Sequence, residues 1–82
     1  MKLGVYSMRD AVSGLYNTPT FEQSKQVAYR NFKFAINKND FLQFNAKDVD
    51  LFYLGDFENE TGEFIPCVPE KITDGVAVLE NK

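Results

Sequence analysis

The chain has no histidine and no tryptophan, and only one cysteine, among 82 residues. Without histidine it lacks the commonest general base, the usual proton shuttle and the commonest transition-metal ligand. A serine or cysteine triad of the ordinary kind cannot be assembled. The lone Cys67 excludes an intramolecular disulfide, and the cysteine usage gives no sign of an oxidising compartment. Set between Pro66 and Val68 in an apolar stretch with no base nearby, it reads as a buried structural cysteine. No phosphate-cradling glycine loop is present. Apolar runs stay well short of the roughly 18 residues that a membrane span requires. The opening MKLGVYSMRD is interrupted by Ser7, Arg9 and Asp10, too early for a signal-peptide core. The expectation is a soluble cytoplasmic protein that is neither secreted nor embedded in a membrane.

Carboxylates are the remaining route to chemistry. Asp56, Glu58, Glu60 and Glu63 form one cluster, but their spacing follows a hairpin tip and not a calcium loop. They read as a solvated acidic turn, so no metal and no cofactor are expected. The chain is expected to act by binding and not as an enzyme.

A chain of this length has room for one domain, residues 1–82, and buries only about 60% of the surface its unfolded form exposes. Eight phenylalanines and four tyrosines are more rings than so thin a core covers, which points to an interface with a second copy or a ligand. The net charge of −3 argues against a generic basic nucleic-acid coat. Charge is segregated, however. Lys25, Arg30, Lys33 and Lys38 fall in a stretch with no acid, whereas Asp48, Asp50, Asp56, Glu58, Glu60 and Glu63 fall in one with no base.

Alternation over Lys2–Met8 predicts a central strand, with Leu3, Val5 and Ser7 on one face and Gly4, Tyr6 and Met8 on the other. Leu15–Phe21 is extended in character, and Pro19 confines it to an edge or a pinned loop. Thr20–Asn39 reads as a helix capped by Thr20, with Gln23 in the capping-box position. At about 100° per residue, Phe21, Ser24, Ala28, Phe32, Ala35 and Ile36 share the stripe that faces a sheet. Asp50–Glu58 is a second strong strand, with Leu51, Tyr53, Gly55 and Phe57 on one face and Phe52, Leu54 and Asp56 on the other. A hairpin through Gly62 leads to Glu63–Val68, where Pro66 marks a sheet edge. The tail 69–82 carries one more apolar run, Val76–Leu79, and is either docked or mobile. The predicted fold is α+β: a small antiparallel sheet of three or four strands with one amphipathic helix packed across one face.

Opposite the core stripe the helix carries Gln26, Tyr29, Arg30, Lys33 and Asn37. Cations that follow a phosphate backbone, beside a ring on which a base stacks, are the components of single-stranded nucleic-acid binding. The same residues also describe an ordinary solvated helix face. Few phosphate contacts mean weak binding by one monomer, so affinity calls for a dimer or an array. Phe41, Phe44, Phe52 and Tyr53 offer material for a homodimer interface at a sheet face or edge.

The opening MKLGVY, the helix ending in Ala35-Ile36-Asn37, and the stretch DLFYLGDFENETG followed by Pro69 resemble the small nonstructural protein of gokushovirus-type microviruses, tailless phages with circular single-stranded DNA genomes. The most specific part is the pattern Leu51, Gly55, Phe57, Gly62. The resemblance implies an accessory protein acting in the cytoplasm of the infected bacterial host, absent from the mature capsid, and assisting genome replication or packaging. It supplies no catalytic residues. Two readings follow: single-stranded DNA binding without sequence preference through the helix face, or docking of the acidic hairpin and exposed rings on a phage or host replication protein.

Overall fold

Tyr6, at the middle of the first strand, is 5% exposed and packs under a helix. The rest of the fold is arranged around that strand. The computed structural model describes residues 1–80. Strand β1 (Lys2–Asp10) pairs antiparallel with β4 (Val49–Glu58) along its whole length. Its other edge is shared by two short strands, β2 (Leu15–Tyr16) at Arg9 and Asp10, and β3 (Thr20–Glu22) at Gly4 to Tyr6. Strand β5 (Glu63–Asp74) pairs with β4 and forms the far edge of the sheet. The architecture is α+β, with a five-stranded antiparallel sheet in the order β2-β1-β4-β5 and β3 beside β1. The predicted extended segment Leu15–Phe21 is thus two strands, broken around Pro19.

Helix α1 runs from Lys25 to Lys38, five residues shorter at its start than the periodicity predicts. Ser24 is the cap, its hydroxyl accepting from the Val27 N–H at 3.2 Å. Thr20 is taken into β3 by pairing with Tyr6, and its hydroxyl donates to Glu22 at 3.1 Å. Phe21 therefore leaves the helix stripe and stands 45% exposed. The remaining stripe behaves as predicted: Ala28, Phe32 and Ile36 are buried against Tyr6, Val49 and Leu51. Burying a side chain such as Phe32 or Ile36 contributes about 1.5–3 kcal/mol.

Two further short helices complete this layer. α2 (Asp40–Phe44) follows α1 directly, with Asn39 as its cap, and a 3-10 turn at Ala46–Asp48 leads into β4. The segment beyond Pro69 differs from the expected tail. β5 continues to Asp74, and α3 (Gly75–Val78) docks with Val78 buried in the core cluster. Positions 81–82 of the expected tail lie outside the described residues.

One irregularity changes which residues share a face. Val5 pairs with Gly55 and Tyr6 with Tyr53, so Leu54 is an extra residue in β4. A bulge of this kind reverses the alternation beyond it. Tyr53 and Asp56, predicted on opposite faces, consequently lie side by side, the Tyr53 hydroxyl donating to Asp56 Oδ1 at 2.6 Å. Gly55 makes the bulge feasible: its φ is +133°, and a Cβ there would sit 2.8 Å from Pro66 Cα and closer still to the Ile65 carbonyl oxygen. Opposite it, β5 passes from Pro66, paired with Gly55, to Glu70, paired with Tyr53, so Cys67 to Pro69 are looped out. Cys67 is exposed there. The expectation of a buried cysteine fails because the apolar run around it lies on an edge strand beyond the reach of the helices.

Candidate functional site

The C-terminal half of α1 presents a shallow groove lined by Arg30, Lys33, Phe34, Asn37, Lys38 and Glu80. Arg30, Lys33, Phe34 and Lys38 are exposed, and the Phe34 ring is 65% accessible. Phe34 lies two residues, or about 200° of rotation, from the core residue Phe32, which turns it to the side away from the sheet. An exposed ring is thereby set among three cations on one helix face.

The residues predicted from sequence divide into three groups. Arg30 and Lys33 line the groove. Gln26 and Tyr29 are exposed on α1 but are not among its lining residues, and Tyr29 is only 38% exposed. Asn37 borders the groove but is 6% exposed, which corrects its assignment as an outward-facing contact. Its Nδ2 donates to the Val78 carbonyl at 2.9 Å and to the Lys33 carbonyl at 2.8 Å, and its Oδ1 accepts from the Glu80 N–H at 2.8 Å. With every polar atom engaged, its role is to fasten the docked tail to the helix. The docked tail also brings the Glu80 carboxylate to 3.7 Å from Lys33 Nζ. Phe34 and Lys38 were missed as site residues; the helical wheel places Phe34 near the centre of the outward face, and that is the signal that identifies it.

A second concavity, on the helix side of the sheet, contains Gly4, Tyr6, Ser24, Lys25, Tyr53 and Asp56 among its lining. The hydrogen bond to Asp56 pushes the Tyr53 phenol up to about 12. Burial, reinforced by Asp56, raises Tyr6 as well. Phenols held protonated in this way are poor bases and poor nucleophiles near neutral pH. At the acidic hairpin, the Met1 ammonium donates to Glu58 and Glu60 at 2.7 Å each. These hydrogen bonds raise the ammonium and lower Glu58 from their ordinary values. Among the described residues, no group of three or more Asp, Glu, Cys or His is placed to hold a metal ion, and no helix is long and apolar enough to cross a membrane.

The model of the Phage ORF5 protein family matches residues 3–78, nearly the whole described chain from β1 to the end of α3. The chain belongs to the Phage ORF5 protein family. No curated protein and no solved structure matches it. The family match includes the bulge at Leu54 and Gly55, the whole of α1 and the docked α3, so the α1 residues of the groove lie in the part of the chain that the family covers, and Glu80 lies beyond it.

Proposed function

We propose that this phage protein is a nonstructural accessory factor of a gokushovirus-type microvirus that holds single-stranded DNA on the α1 groove, without sequence preference and without catalysis, during genome replication or packaging in the cytoplasm of the infected bacterium. The observation that carries the reading is the exposed Phe34 ring among Arg30, Lys33 and Lys38, in a chain whose net charge is −3. A cationic face on an acidic protein marks a local preference for anions. An exposed ring among the cations adds a surface on which any base stacks, contributing about 1–3 kcal/mol per base. Phosphate contacts add a salt dependence of about −0.7 per charge neutralised on a single strand.

The test is fluorescence anisotropy of a labelled single strand, titrated with folded protein at about 50 and about 200 mM salt, with a duplex of equal length beside it. Binding that favours the single strand and weakens with salt supports the reading. Absence of binding at both salt concentrations contradicts it.

The projecting β4–β5 arm favours a second reading. Residues 59–71 are exposed throughout, and they combine the carboxylates of Glu60, Glu63 and Glu70 with Phe64 and Val68. An acidic arm with apolar side chains suits docking on a basic phage or host replication protein. That reading expects a co-purifying protein partner and no oligonucleotide binding at any salt concentration.

A further inference from the structure

α1, α2 and α3 all pack on one side of the sheet, where Tyr6, Leu51 and Val49 join Ala28, Phe32, Ile36 and Val78 in the core. Residues paired directly across an antiparallel ladder share a face, and alternate residues point to opposite faces. Leu3, Val5 and Ser7, which alternate with Tyr6, therefore line the other face together with their partners Phe57, Phe21 and Phe52. Phe57 packs on Phe21 and Phe64 with ring centroids 5.3 and 4.9 Å apart, and Tyr16 meets Phe52 edge-on at 5.5 Å. Among the described residues no helix lies over this aromatic face, and the shortest dimension of the molecule is 16 Å, the thickness of one helix layer on one sheet.

We infer that this open face is where a second copy of the chain packs, sheet against sheet about a two-fold axis. Surface area supports it. A compact monomer of 9.4 kDa exposes about 5,000 Å² by the usual scaling, whereas this chain exposes 5495 Å². Tyr16, Phe21 and Phe64 are 41%, 45% and 62% exposed, and Phe52 and Phe57 are half-buried. Since burying one aromatic side chain removes about 150–250 Å² from water, the five rings leave roughly 400 Å² to cover. With a rim of neighbouring side chains, the patch approaches the roughly 800 Å² per partner of a standard interface. Two sheets meeting face to face pack about 10 Å apart, with interdigitating side chains of this kind.

Charge favours a copy of the chain over a nucleic acid. Arg9 lies 5.8 Å over the Tyr16 ring, and Lys71 is held between Asp50 and Asp74 at 3.6 and 3.8 Å, so these cations are already engaged within the protomer. The rings at the other end of the patch adjoin the carboxylates of the hairpin, which repel phosphate. The rings also meet one another tilted or edge-on, as side chains in a core do. Because α1 lies on the opposite side of each sheet, such a dimer leaves both Arg30–Phe34 grooves outside, uncovered and facing away from each other.

Sedimentation equilibrium of the full chain without nucleic acid, over a wide concentration range, tests the inference. The expected result is a mass that rises with concentration toward twice the 9.4 kDa of one chain, with a thermal midpoint that rises in parallel. Phe64→Glu combined with Phe21→Glu, both at exposed positions, is expected to abolish the rise while the far-ultraviolet dichroism is retained. A wild-type mass that stays at one chain across the range overturns the inference, whether or not the double variant folds. So does a double variant that folds and still dimerises. A wild-type monomer whose oligonucleotide binding is lost in the folded double variant would assign the face to nucleic acid and likewise overturn it.

Discussion

Asn37 on α1 donates from Nδ2 to the carbonyl of Val78, 41 residues away in the sequence, at 2.9 Å. Through this bond and the acceptance from Glu80, the end of the chain is tied to the helix that carries the candidate site. Replacing Asn37 with alanine leaves the Val78 carbonyl and the Glu80 N–H without their partner. The expected loss is about 2 kcal/mol, read as a lower urea midpoint. Any loss of DNA binding in Asn37→Ala should follow from instability and disappear in the cold, since this side chain is not available to a ligand.

Glu80 should act against binding. Its carboxylate sits 3.7 Å from Lys33, where a phosphate oxygen would otherwise be drawn. An exposed pair of this kind contributes at most about 1 kcal/mol to stability. Glu80→Gln is therefore expected to lower the melting temperature by no more than about 4–8 °C. It should tighten single-strand binding at low salt and steepen the salt dependence by about 0.7, one phosphate's share. Salt titrations of the two proteins measure this directly.

Phe34 and Tyr29 should differ as stacking surfaces because Phe34 is 65% exposed and Tyr29 only 38%. Phe34→Ala is expected to weaken single-strand affinity by about 1–3 kcal/mol, and Tyr29→Ala by less. Anisotropy titrations of the two variants at one salt concentration give the order.

Much of this was legible in the sequence. Alternation over Lys2–Met8 and the apolar and aromatic run within Asp50–Glu58 mark the two central strands, and the Ala28, Phe32, Ile36 stripe marks the buried helix face. What escaped depends on partners distant in sequence. Thr20 has the chemistry of a helix cap, yet pairing with Tyr6 claims it for a strand, a contact that local propensity does not encode. The bulge at Leu54 depends on how closely Ile65 and Pro66 approach Gly55. The burial of Asn37 escapes a helical wheel, which registers the sheet side only, because the docked tail covers a different side of α1. Arg30 and Lys33 are legible as cations in an acid-free stretch; an apolar ring such as Phe34 carries no such mark, since apolar side chains are ordinarily read as core.

The bulge gives two tests of its own. Gly55→Ala must hold a φ of +133° and place a Cβ against the backbone of Ile65 and Pro66. A loss of about 3 kcal/mol or more is expected, read as a lower midpoint in urea or as failure to fold.

The Tyr53–Asp56 bond links stability to alkaline pH. The phenol is raised in the folded chain to about 12, above the value of about 10 in an unfolded one. Its contribution is therefore complete below pH about 10 and is lost as pH rises through the folded value. Tyr6, raised chiefly by burial, acts in the same sense. Tyr53→Phe should make the urea midpoint fall less steeply between pH about 10 and about 12 than in wild type, and leave Tyr6 to supply the remaining slope.

The most direct test of the proposed function compares wild type with a triple variant, Arg30→Ala, Lys33→Ala and Phe34→Ala, by anisotropy of a labelled single strand at low salt. All three positions are exposed, so the fold should survive, as circular dichroism would verify. The account predicts salt-sensitive binding by wild type and its loss in the folded variant. Equal binding by the two proteins would contradict it.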